Sequence, residues 1–378
     1  MSQPLASPAP SPACPGAQPH DPDARESASP PRLAIVVPCY NEEAVLPETC
    51  RQLVALLQRL AAAAKVASDS HLLFVDDGSV DRTWEIVTGF AEAGLPVVGV
   101  RLTRNRGHQN ALLCGLFHAD SDVVVSIDAD LQDDPDAIEA MLDAHARGCD
   151  VVYGVRSSRD TDSRFKRSSA EAFYRLLEAL GVETVPNHAD YRLMSRRAID
   201  ALSRFREVNL YLRGMIPLLG LRSARVEYRR RTRMAGESKY PFSKMLGLAW
   251  QAITSFSVVP LRVVSVLGFV IFGGSLLASA WVLWARFVAN EAVPGWASIV
   301  LPVSLLGGIQ MLGIGVVGEY LGKIYLESKG RPRYLVEDIV AGAGLCRPNA
   351  EAPDGPVGHT PTVATGCAEG GRLPGERR

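Results

Sequence analysis

Two aspartates at alternate positions, Asp128 and Asp130, follow a short apolar segment of this 378-residue chain. Their spacing brings carboxylate oxygens close together, and such ligands suit a hard divalent cation such as Mg²⁺ or Mn²⁺. A cation held by so few protein carboxylates usually takes its remaining ligands from substrate phosphates. The pattern therefore predicts a Mg²⁺ or Mn²⁺ site that serves a phosphate-containing substrate, although a lone D-x-D pair is a weak signal.

Two other polar clusters, earlier in the chain, also come directly after apolar segments. They are Pro38-Cys39-Tyr40-Asn41-Glu42-Glu43 and Asp76-Asp77-Gly78-Ser79. Taken alone, the second cluster is more often a turn followed by a helix cap. Similarly, Asp133, Asp134 and Asp136 are most simply first-turn acids favoured by a helix dipole. The chain has no G-x-x-x-x-G-K-[ST] loop and no G-x-G-x-x-G after a predicted strand, which removes the usual signatures of P-loop and dinucleotide-binding enzymes.

The segments that must position these clusters alternate between short apolar runs and longer amphipathic ones. The predicted strands are Leu33 to Pro38, His71 to Val75, Val97 to Leu102, Asp122 to Ile127 and Val151 to Val155, and the predicted helices are Glu43 to Ala64, Asp81 to Ala93, His108 to His118 and Asp136 to Arg147. Such alternation indicates an α/β domain with a mainly parallel sheet covered on both faces. Because ligands bind at the carboxyl ends of the strands of such sheets, the three polar clusters should meet in one crevice.

Two long uncharged runs, 263–285 and 292–318, follow this domain and contain 23 and 27 residues. A membrane-spanning helix needs about 20 apolar residues, so both runs are long enough. The basic residues that flank the pair on its two outer sides are Lys239, Lys244, Arg262, Lys323, Lys329, Arg331 and Arg333. By the positive-inside rule, they predict a transmembrane hairpin, with helices at 261–287 and 292–321 and both chain ends in the cytoplasm. The alternative is a pair of buried soluble helices.

The net charge of −1 conceals a division between an acidic and a basic part of the chain. Residues 32–220 hold 21 basic and 27 acidic residues, whereas residues 222–244 hold eight basic and two acidic ones. Because this basic segment directly precedes the first predicted span, anionic lipid headgroups explain it better than nucleic acid does. Residues 241–260 are predicted to form an interfacial amphipathic helix, or alternatively an ordinary packing helix. The remaining predicted segments are a disordered Pro-rich leader (1–31), the α/β domain (32–240), a cytoplasmic juxtamembrane segment (322–342) and a disordered tail (343–378).

Four motifs near the predicted strand ends carry a family resemblance. They are Val36-Val37-Pro38-Cys39-Tyr40-Asn41-Glu42-Glu43, Val75-Asp76-Asp77-Gly78-Ser79, Arg104-Asn105-Arg106-Gly107-His108 and Asp128-Ala129-Asp130-Leu131-Gln132-Asp133. Together they resemble the family 2 glycosyltransferases of GT-A fold. Within that family, Gly236-Glu237-Ser238-Lys239-Tyr240 and the two uncharged runs resemble the polyprenyl-phosphate glycosyltransferases, such as bactoprenol glucosyltransferases and dolichol-phosphate mannose synthases. The resemblance covers residues 32–338 and implies a GT-A (Rossmann-like) catalytic domain followed by the transmembrane hairpin.

This resemblance implies a nucleotide-sugar donor and assigns candidate residues to it. The residues that would hold the nucleobase and ribose are Pro38, Tyr40, Glu42 and Asp77. The residues that would bind the cation bridging the diphosphate are Asp128, Asp130 and Gln132, of which Asp130 is also predicted to be catalytic. Asn41, Asp76, Ser79 and Ala129 belong to the same predicted donor site.

On the acceptor side, the resemblance implies residues that contact phosphate. Arg156 and Arg167 resemble family positions that touch phosphate. Arg231, Arg233, Ser238 and Lys239 lie in the loop that, in the family, covers the donor diphosphate and receives the lipid phosphate, a task for which Arg is well suited. Asp190 and Arg192 match the segment that lines the acceptor side. With Asp130, the predicted catalytic residues are Arg156, Asp190 and Arg231.

The implied reaction is inverting transfer of a sugar, preferably glucose from UDP-glucose, to undecaprenyl phosphate at the cytoplasmic face of a bacterial inner membrane. The product would supply a lipid-linked sugar for cell-envelope glycans. Mannose, N-acetylglucosamine and aminoarabinose remain open as the sugar, and homo-tetramers occur among relatives. A processive polysaccharide synthase would carry a Q-x-x-R-W segment and more spans, which this sequence lacks. A non-catalytic membrane adaptor is the alternative from another class, and the intact acidic clusters argue against it.

Overall fold

The computed structural model describes residues 29–156, 188–207, 210–228, 259–287 and 297–348. Within these residues the strands are β1 (Leu33–Cys39), β2 (His71–Asp76), β3 (Val97–Leu102), β4 (Val123–Ser126), β5 (Val151–Arg156), β6 (His188–Ser195), β7 (Ser223–Tyr228) and β8 (Val336–Ala341). The helices are α1 (Leu46–Ala62), α2 (Thr83–Glu92), α3 (His108–His118), α4 (Ala137–Ala146), α5 (Arg196–Leu202), α6 (Leu212–Leu218), α7 (Val259–Phe287) and α8 (Ala297–Ser328). The predicted leader, interfacial helix and tail lie almost entirely outside the described residues.

These eight strands form one mixed sheet in the order β7-β5-β6-β4-β1-β2-β3-β8. The pairs β1–β2, β1–β4, β2–β3 and β5–β7 are parallel. β6 is antiparallel to its neighbours β4 and β5, and β8 is antiparallel to β3. The carboxyl ends of the parallel strands therefore lie along one edge of the sheet. The prediction of a mainly parallel α/β sheet is confirmed.

The sheet separates two apolar cores, and the alternation of side chains along β1 shows how. Leu33, Ile35 and Val37 belong to one core, whereas Ala34 and Val36 belong to the other. The first core is completed mainly by α1 and α4, and the second by α3, α5 and α6. A strand that is buried on both faces reads as a continuous apolar run, and all seven residues of β1 are buried. This is why the central strands can be predicted closely from their sequence.

Three strands at or near the sheet edges do not follow from the sequence pattern. β6 is inserted antiparallel between β4 and β5. β7 occupies residues 223–228, so the beginning of the basic segment 222–244 is an edge strand of the sheet. β8 lies within the predicted juxtamembrane segment 322–342 but pairs with β3, from Val98 opposite Ala341 to Leu102 opposite Val336. The sheet of the α/β domain therefore includes a strand that follows both long helices, beyond the predicted domain end at residue 240.

The long helix α7 contains the whole first uncharged run, 263–285, whereas α8 covers residues 297–318 of the second run and continues through charged residues to Ser328. They approach each other near Gly313, where an added Cβ would lie 3.3 Å from Val264 Cγ1. Large apolar side chains such as Phe269 and Leu277 are exposed on α7. In the part of the chain that the structure describes, no helix is long and apolar enough to cross a membrane.

Candidate active site

The loops that follow β1 and β2 are joined to each other by hydrogen bonds between the first two polar clusters. Ser79 Oγ accepts from the backbone N–H of Asn41, and Asn41 Oδ1 accepts from the backbone N–H of Val80, both at 2.9 Å. The backbone N–H of Glu42 donates to Thr83 Oγ1 at 2.9 Å. Asn41 has a φ of 56°, a conformation that Asn tolerates better than most residues. The predicted convergence of these two clusters is confirmed.

Asp77 holds the loop that follows β3 against the end of β2. Its carboxylate accepts from the backbone N–H groups of Arg106 and Gly107, at 2.7 and 2.8 Å. Burial raises the pKa of Asp77, and these two backbone hydrogen bonds oppose the rise. Gly78 permits the close approach, because a Cβ at this position would lie 2.6 Å from the backbone carbonyl carbon of Arg104. Asp77 therefore fixes the start of α3.

His108, the first residue of α3, lies between two carboxylates, one in the loop after β4 and the other on β6. Its Nε2 atom is 3.6 Å from Asp128 Oδ1 and 3.6 Å from Asp190 Oδ2. Burial lowers the pKa of His108, but the nearby carboxylates of Asp190 and Asp128 outweigh burial, so that the pKa is raised overall. No role is predicted for His108 from the sequence, where it is only the last residue of one of the four motifs. Its position directly after a strand-end loop, like that of the acidic clusters, is the signal that could have identified it.

Asp128 and Asp130 lie in the loop after β4, near the carboxylates of Asp133 and Asp190. Burial, with added repulsion from these carboxylates, raises the pKa of Asp128 to about 6. Across the described residues, no group of three or more His, Cys, Asp or Glu side chains is arranged to hold a metal. Asp128, Asp130 and Gln132 carry oxygen donors of the kind that a hard divalent cation prefers, and their assignment as its ligands stays a prediction.

Asp190, on β6, is the most densely paired carboxylate of the site. Its side chain is 9% exposed and forms a bidentate contact with Arg213, with Nε–Oδ1 and Nη2–Oδ2 distances of 3.2 and 3.1 Å. Arg192 also donates to Asp190 Oδ1. Burial would raise the pKa of Asp190, but nearby His108 and the charges of Arg192 and Arg213 hold the pKa well below its usual range. Asp190 therefore stays ionised, and Arg213 is a site residue that the sequence motifs do not reveal.

Arg192 is predicted from the sequence to bind substrate, but its side chain is enclosed in the structure. Its side chain is 1% exposed, and its Nε and Nη1 atoms are buried without a hydrogen-bond partner among the described residues. Burial lowers its pKa, although Asp190 opposes this effect. Since an enclosed guanidinium beside Asp190 cannot meet a ligand from solvent, its position favours support of Asp190.

Asp133 is not the exposed first-turn acid that its sequence position suggests. Its side chain is 1% exposed and accepts hydrogen bonds from Tyr228 and Arg156, whereas the following helix α4 begins only at Ala137. For Asp133 the first-turn interpretation is therefore wrong. Asp136 directly precedes α4, as a helix-start acid would, and it is exposed and pairs with Arg59 at 2.6 Å.

The remaining predicted residues differ in how far they face the crevice. Tyr40 is 45% exposed. Pro38 is buried within β1, and Asp76 is fully buried, with Oδ1 accepting from the backbone N–H of Ser79 at 3.0 Å. Ala129 is buried and its carbonyl accepts from Thr49 Oγ1 at 2.7 Å. The predicted residues that lie outside the described residues are Arg167, Arg231, Arg233, Ser238 and Lys239.

Comparisons with known proteins agree with this arrangement. The family model for glycosyl transferase family 2 matches residues 34–203. An uncharacterised glycosyltransferase of Bacillus subtilis, YkoT, is 47% identical over 311 residues, which are 82% of this chain and 92% of that protein. The bactoprenol glucosyl transferase of Shigella phage SfX is 38% identical over 310 residues, 81% of this chain and 99% of that protein.

Solved structures include more distant proteins. A mannosyltransferase from Pyrobaculum calidifontis, in complex with GDP-Man and Mn²⁺, is 19% identical with a TM-score of 0.38 and covers 79% of this chain and 87% of its own.

Proposed function

Because the chain belongs to glycosyl transferase family 2, we propose that it transfers glucose from UDP-glucose to undecaprenyl phosphate at the cytoplasmic face of a membrane. One observation carries the proposal: His108 Nε2 lies 3.6 Å from both Asp128 on the predicted donor side and Asp190 on the predicted acceptor side. This contact supports a single crevice for the two sides. Relatives named bactoprenol glucosyl transferase support a polyprenyl phosphate acceptor.

The donor would bind at the ends of β1, β2 and β4. Tyr40 and the Asp77 region would receive the nucleoside, as the family resemblance implies. Asp128, Asp130 and Gln132 would hold Mg²⁺ or Mn²⁺, which when bound neutralises charge on the nucleoside diphosphate. The pKa of Asp128, raised to about 6 by burial and neighbouring carboxylates, supports this role.

The acceptor requires no strong general base. The second pKa of a phosphate monoester is about 6, so its oxygen is already ionised at neutral pH and can attack the anomeric carbon directly. This chain must therefore position the phosphate and offset its charge. Arg213, which remains 41% exposed while bound to Asp190, is a basic group suited to that task. Direct displacement would invert the anomeric centre.

Membrane association is part of the proposal. The acceptor is a lipid, the 23-residue uncharged run lies within α7, and most of the 27-residue run lies within α8. Exposed apolar side chains on these helices, such as Phe269 and Ile314, favour contact with lipid. Although no described helix meets the requirements for a membrane crossing, we propose that the runs 263–285 and 292–318, the second of which begins outside the described residues, insert as a hairpin with both ends in the cytoplasm. Cysteine labelling in intact vesicles tests this. A cysteine introduced in 288–296 should react with a membrane-impermeant thiol probe only from the side of the membrane opposite the cytoplasm, and reaction from the cytoplasmic side would contradict the hairpin.

The metal assignment is tested by Asp130→Ala in the full-length chain. UDP release from UDP-glucose, with undecaprenyl phosphate and Mn²⁺, should fall by about a hundredfold or more, because charge stabilisation by the cation is worth several kcal/mol. The matched control is Asp136→Ala in the same loop, whose side chain is 58% exposed. An exposed ion pair contributes about 0–1 kcal/mol, so this variant should act like the wild type. Metal-stimulated turnover retained by Asp130→Ala would overturn the assignment.

A further inference from the structure

Tyr228, the last residue of β7, lies directly opposite Arg156, the last residue of β5, in the parallel pairing of the two strands. The Tyr228 hydroxyl accepts from Arg156 Nε at 3.2 Å and donates to Asp133 Oδ1 at 2.5 Å. Arg156 Nη2 also lies 3.4 Å from the same Asp133 oxygen. One hydroxyl therefore joins the end of β5 to the loop that carries Asp128 and Asp130.

The three groups are held in a fixed orientation by their surroundings. Tyr228 is 4% exposed, and its ring packs edge-on against Tyr191 with a centroid separation of 5.1 Å. Burial and the charge of Asp133 raise the pKa of Tyr228, so the hydroxyl keeps its proton and remains a donor to Asp133. Arg156 keeps 33% of its side chain exposed. The guanidinium is thus anchored on one side and accessible on the other.

Asp133 shows that this arrangement is energetically costly to maintain. Its Oδ2 atom is buried without a hydrogen-bond partner among the described residues. A buried carboxylate oxygen that is left unsatisfied destabilises the fold, so packing alone does not explain this residue. Such a group calls for a specific explanation, and orientation of Arg156 provides one.

We propose that Tyr228 is a positioning residue, whose hydroxyl fixes the Arg156 guanidinium against Asp133 so that it meets the phosphate of a nucleoside diphosphate. This inference rests on the proposed function for the identity of its ligand. An unrestrained Arg side chain has considerable rotamer freedom to lose on binding, and an arginine that is already oriented loses less of it.

The test is a double-mutant cycle in the full-length chain, with UDP and Mn²⁺ as the probe in titration calorimetry. Tyr228→Phe should weaken UDP binding about twofold to tenfold, the cost of ordering one additional long side chain on binding. In an Arg156→Gln background the same substitution should have almost no further effect, because the group that it orients is gone. The matched control is Tyr191→Phe. Tyr191 lies on β6, and its hydroxyl donates to the carbonyl of Asp134, in the same loop as Asp133, at 2.8 Å. The control therefore removes a hydroxyl that contacts this loop without contacting Arg156.

Tyr191→Phe should change UDP affinity by the same small factor with or without Arg156. If Tyr228→Phe weakens UDP binding by the same factor with and without Arg156→Gln, the inference is overturned. It is also overturned if Tyr228→Phe and Tyr191→Phe weaken UDP binding equally. If Tyr228→Phe does not fold, Asp133→Asn takes its place in the cycle with the same two outcomes. A wild-type chain that binds UDP but forms no glycolipid would overturn the proposed acceptor and leave this test intact, whereas one that binds no UDP would overturn both.

Discussion

Replacing Asp190 by Asn removes the one negative charge that three basic side chains share. The wild-type carboxylate is bound by Arg192 and by both nitrogens of an Arg213 fork, and it lies 3.6 Å from His108 Nε2. Arg192 is 1% exposed, so the substitution leaves an enclosed guanidinium without its counter-charge. An amide can still accept one hydrogen bond, but it presents an NH₂ group where a second acceptor is needed.

The expected loss of stability follows from the burial of this cluster. Removing one partner of a buried ion pair costs about 3–5 kcal/mol. For a domain of this size that loss lowers Tm by roughly 10 °C. Turnover should fall as well, since Asp190 is proposed to orient the acceptor side of the crevice together with Arg213. The expected fall is at least about tenfold, equivalent to about 1.4 kcal/mol of lost transition-state stabilisation.

The assay is thermal unfolding of the full-length chain, compared with the matched control Asp200→Asn. Asp200 makes an exposed ion pair with Arg196 on α5, with 65% of its side chain accessible, so the control should lower stability by less than about 1 kcal/mol. Equal Tm values for Asp190→Asn and Asp200→Asn would refute the claim that Asp190 is a buried charge centre. Turnover by Asp190→Asn equal to that of the wild type would refute its role in the reaction.

The pH dependence of this effect has a definite sign. The folded-state pKa of Asp190 is held well below its usual range, with burial opposed by His108 and the two arginines, whereas the unfolded-state value is about 3.9. The stabilisation is therefore fully present above about pH 4 and is lost only as pH falls through the folded-state pKa. Asp190 also helps to raise the pKa of His108, a contribution that is fully present below the unfolded-state pKa of His and is lost as pH rises through the folded-state pKa. The Tm difference between the wild type and Asp190→Asn should therefore increase as pH falls from 7 to about 5; a difference that disappears within that interval would contradict the assignment.

Two further predictions concern the cation and the turn after β2. The pKa of Asp128 is raised to about 6, so protons should compete with the cation for this carboxylate. The affinity for Mn²⁺, measured by calorimetry, should therefore rise by up to about tenfold per pH unit below pH 6 and level off above pH 7. An affinity that does not change with pH would contradict this prediction. Gly78→Ala should destabilise the chain more than Gly94→Ala. Both glycines have a positive φ, which costs a non-Gly residue about 1–2 kcal/mol. Only at Gly78 would the new Cβ also lie 2.6 Å from the backbone of Arg104. Equal Tm losses for the two variants would show that the loop after β3 yields to the added methyl group.

The central strands and the acidic clusters could be predicted because their signals are local. Strands such as β1 and β2 are continuous apolar runs, and polar clusters directly after them must lie at the carboxyl edge of a parallel sheet. The order of the clusters along the chain was therefore enough to bring the first two together, as the hydrogen bonds between Asn41, Ser79 and Val80 confirm.

Contacts between distant segments carry no comparable signal. β6 is inserted antiparallel between β4 and β5, and nothing in its own sequence specifies that position. Arg213 reaches Asp190 from a short helix 23 residues further along the chain. Asp133 resembles an ordinary helix-start acid until Tyr228, 95 residues away, is placed against it. These pairings depend on tertiary packing, which a single sequence reveals only through family resemblance.

Mass spectrometry of the lipid product tests the central claim most directly. The full-length chain would be incubated with undecaprenyl phosphate, Mn²⁺ and, in separate reactions, UDP-glucose, GDP-mannose and UDP-N-acetylglucosamine. The account predicts that the lipid gains the mass of one hexose with UDP-glucose and that no second hexose is added. A chain that forms no lipid-linked sugar from any donor would contradict the proposed transferase activity, and a product formed with GDP-mannose or UDP-N-acetylglucosamine but not with UDP-glucose would contradict the proposed sugar.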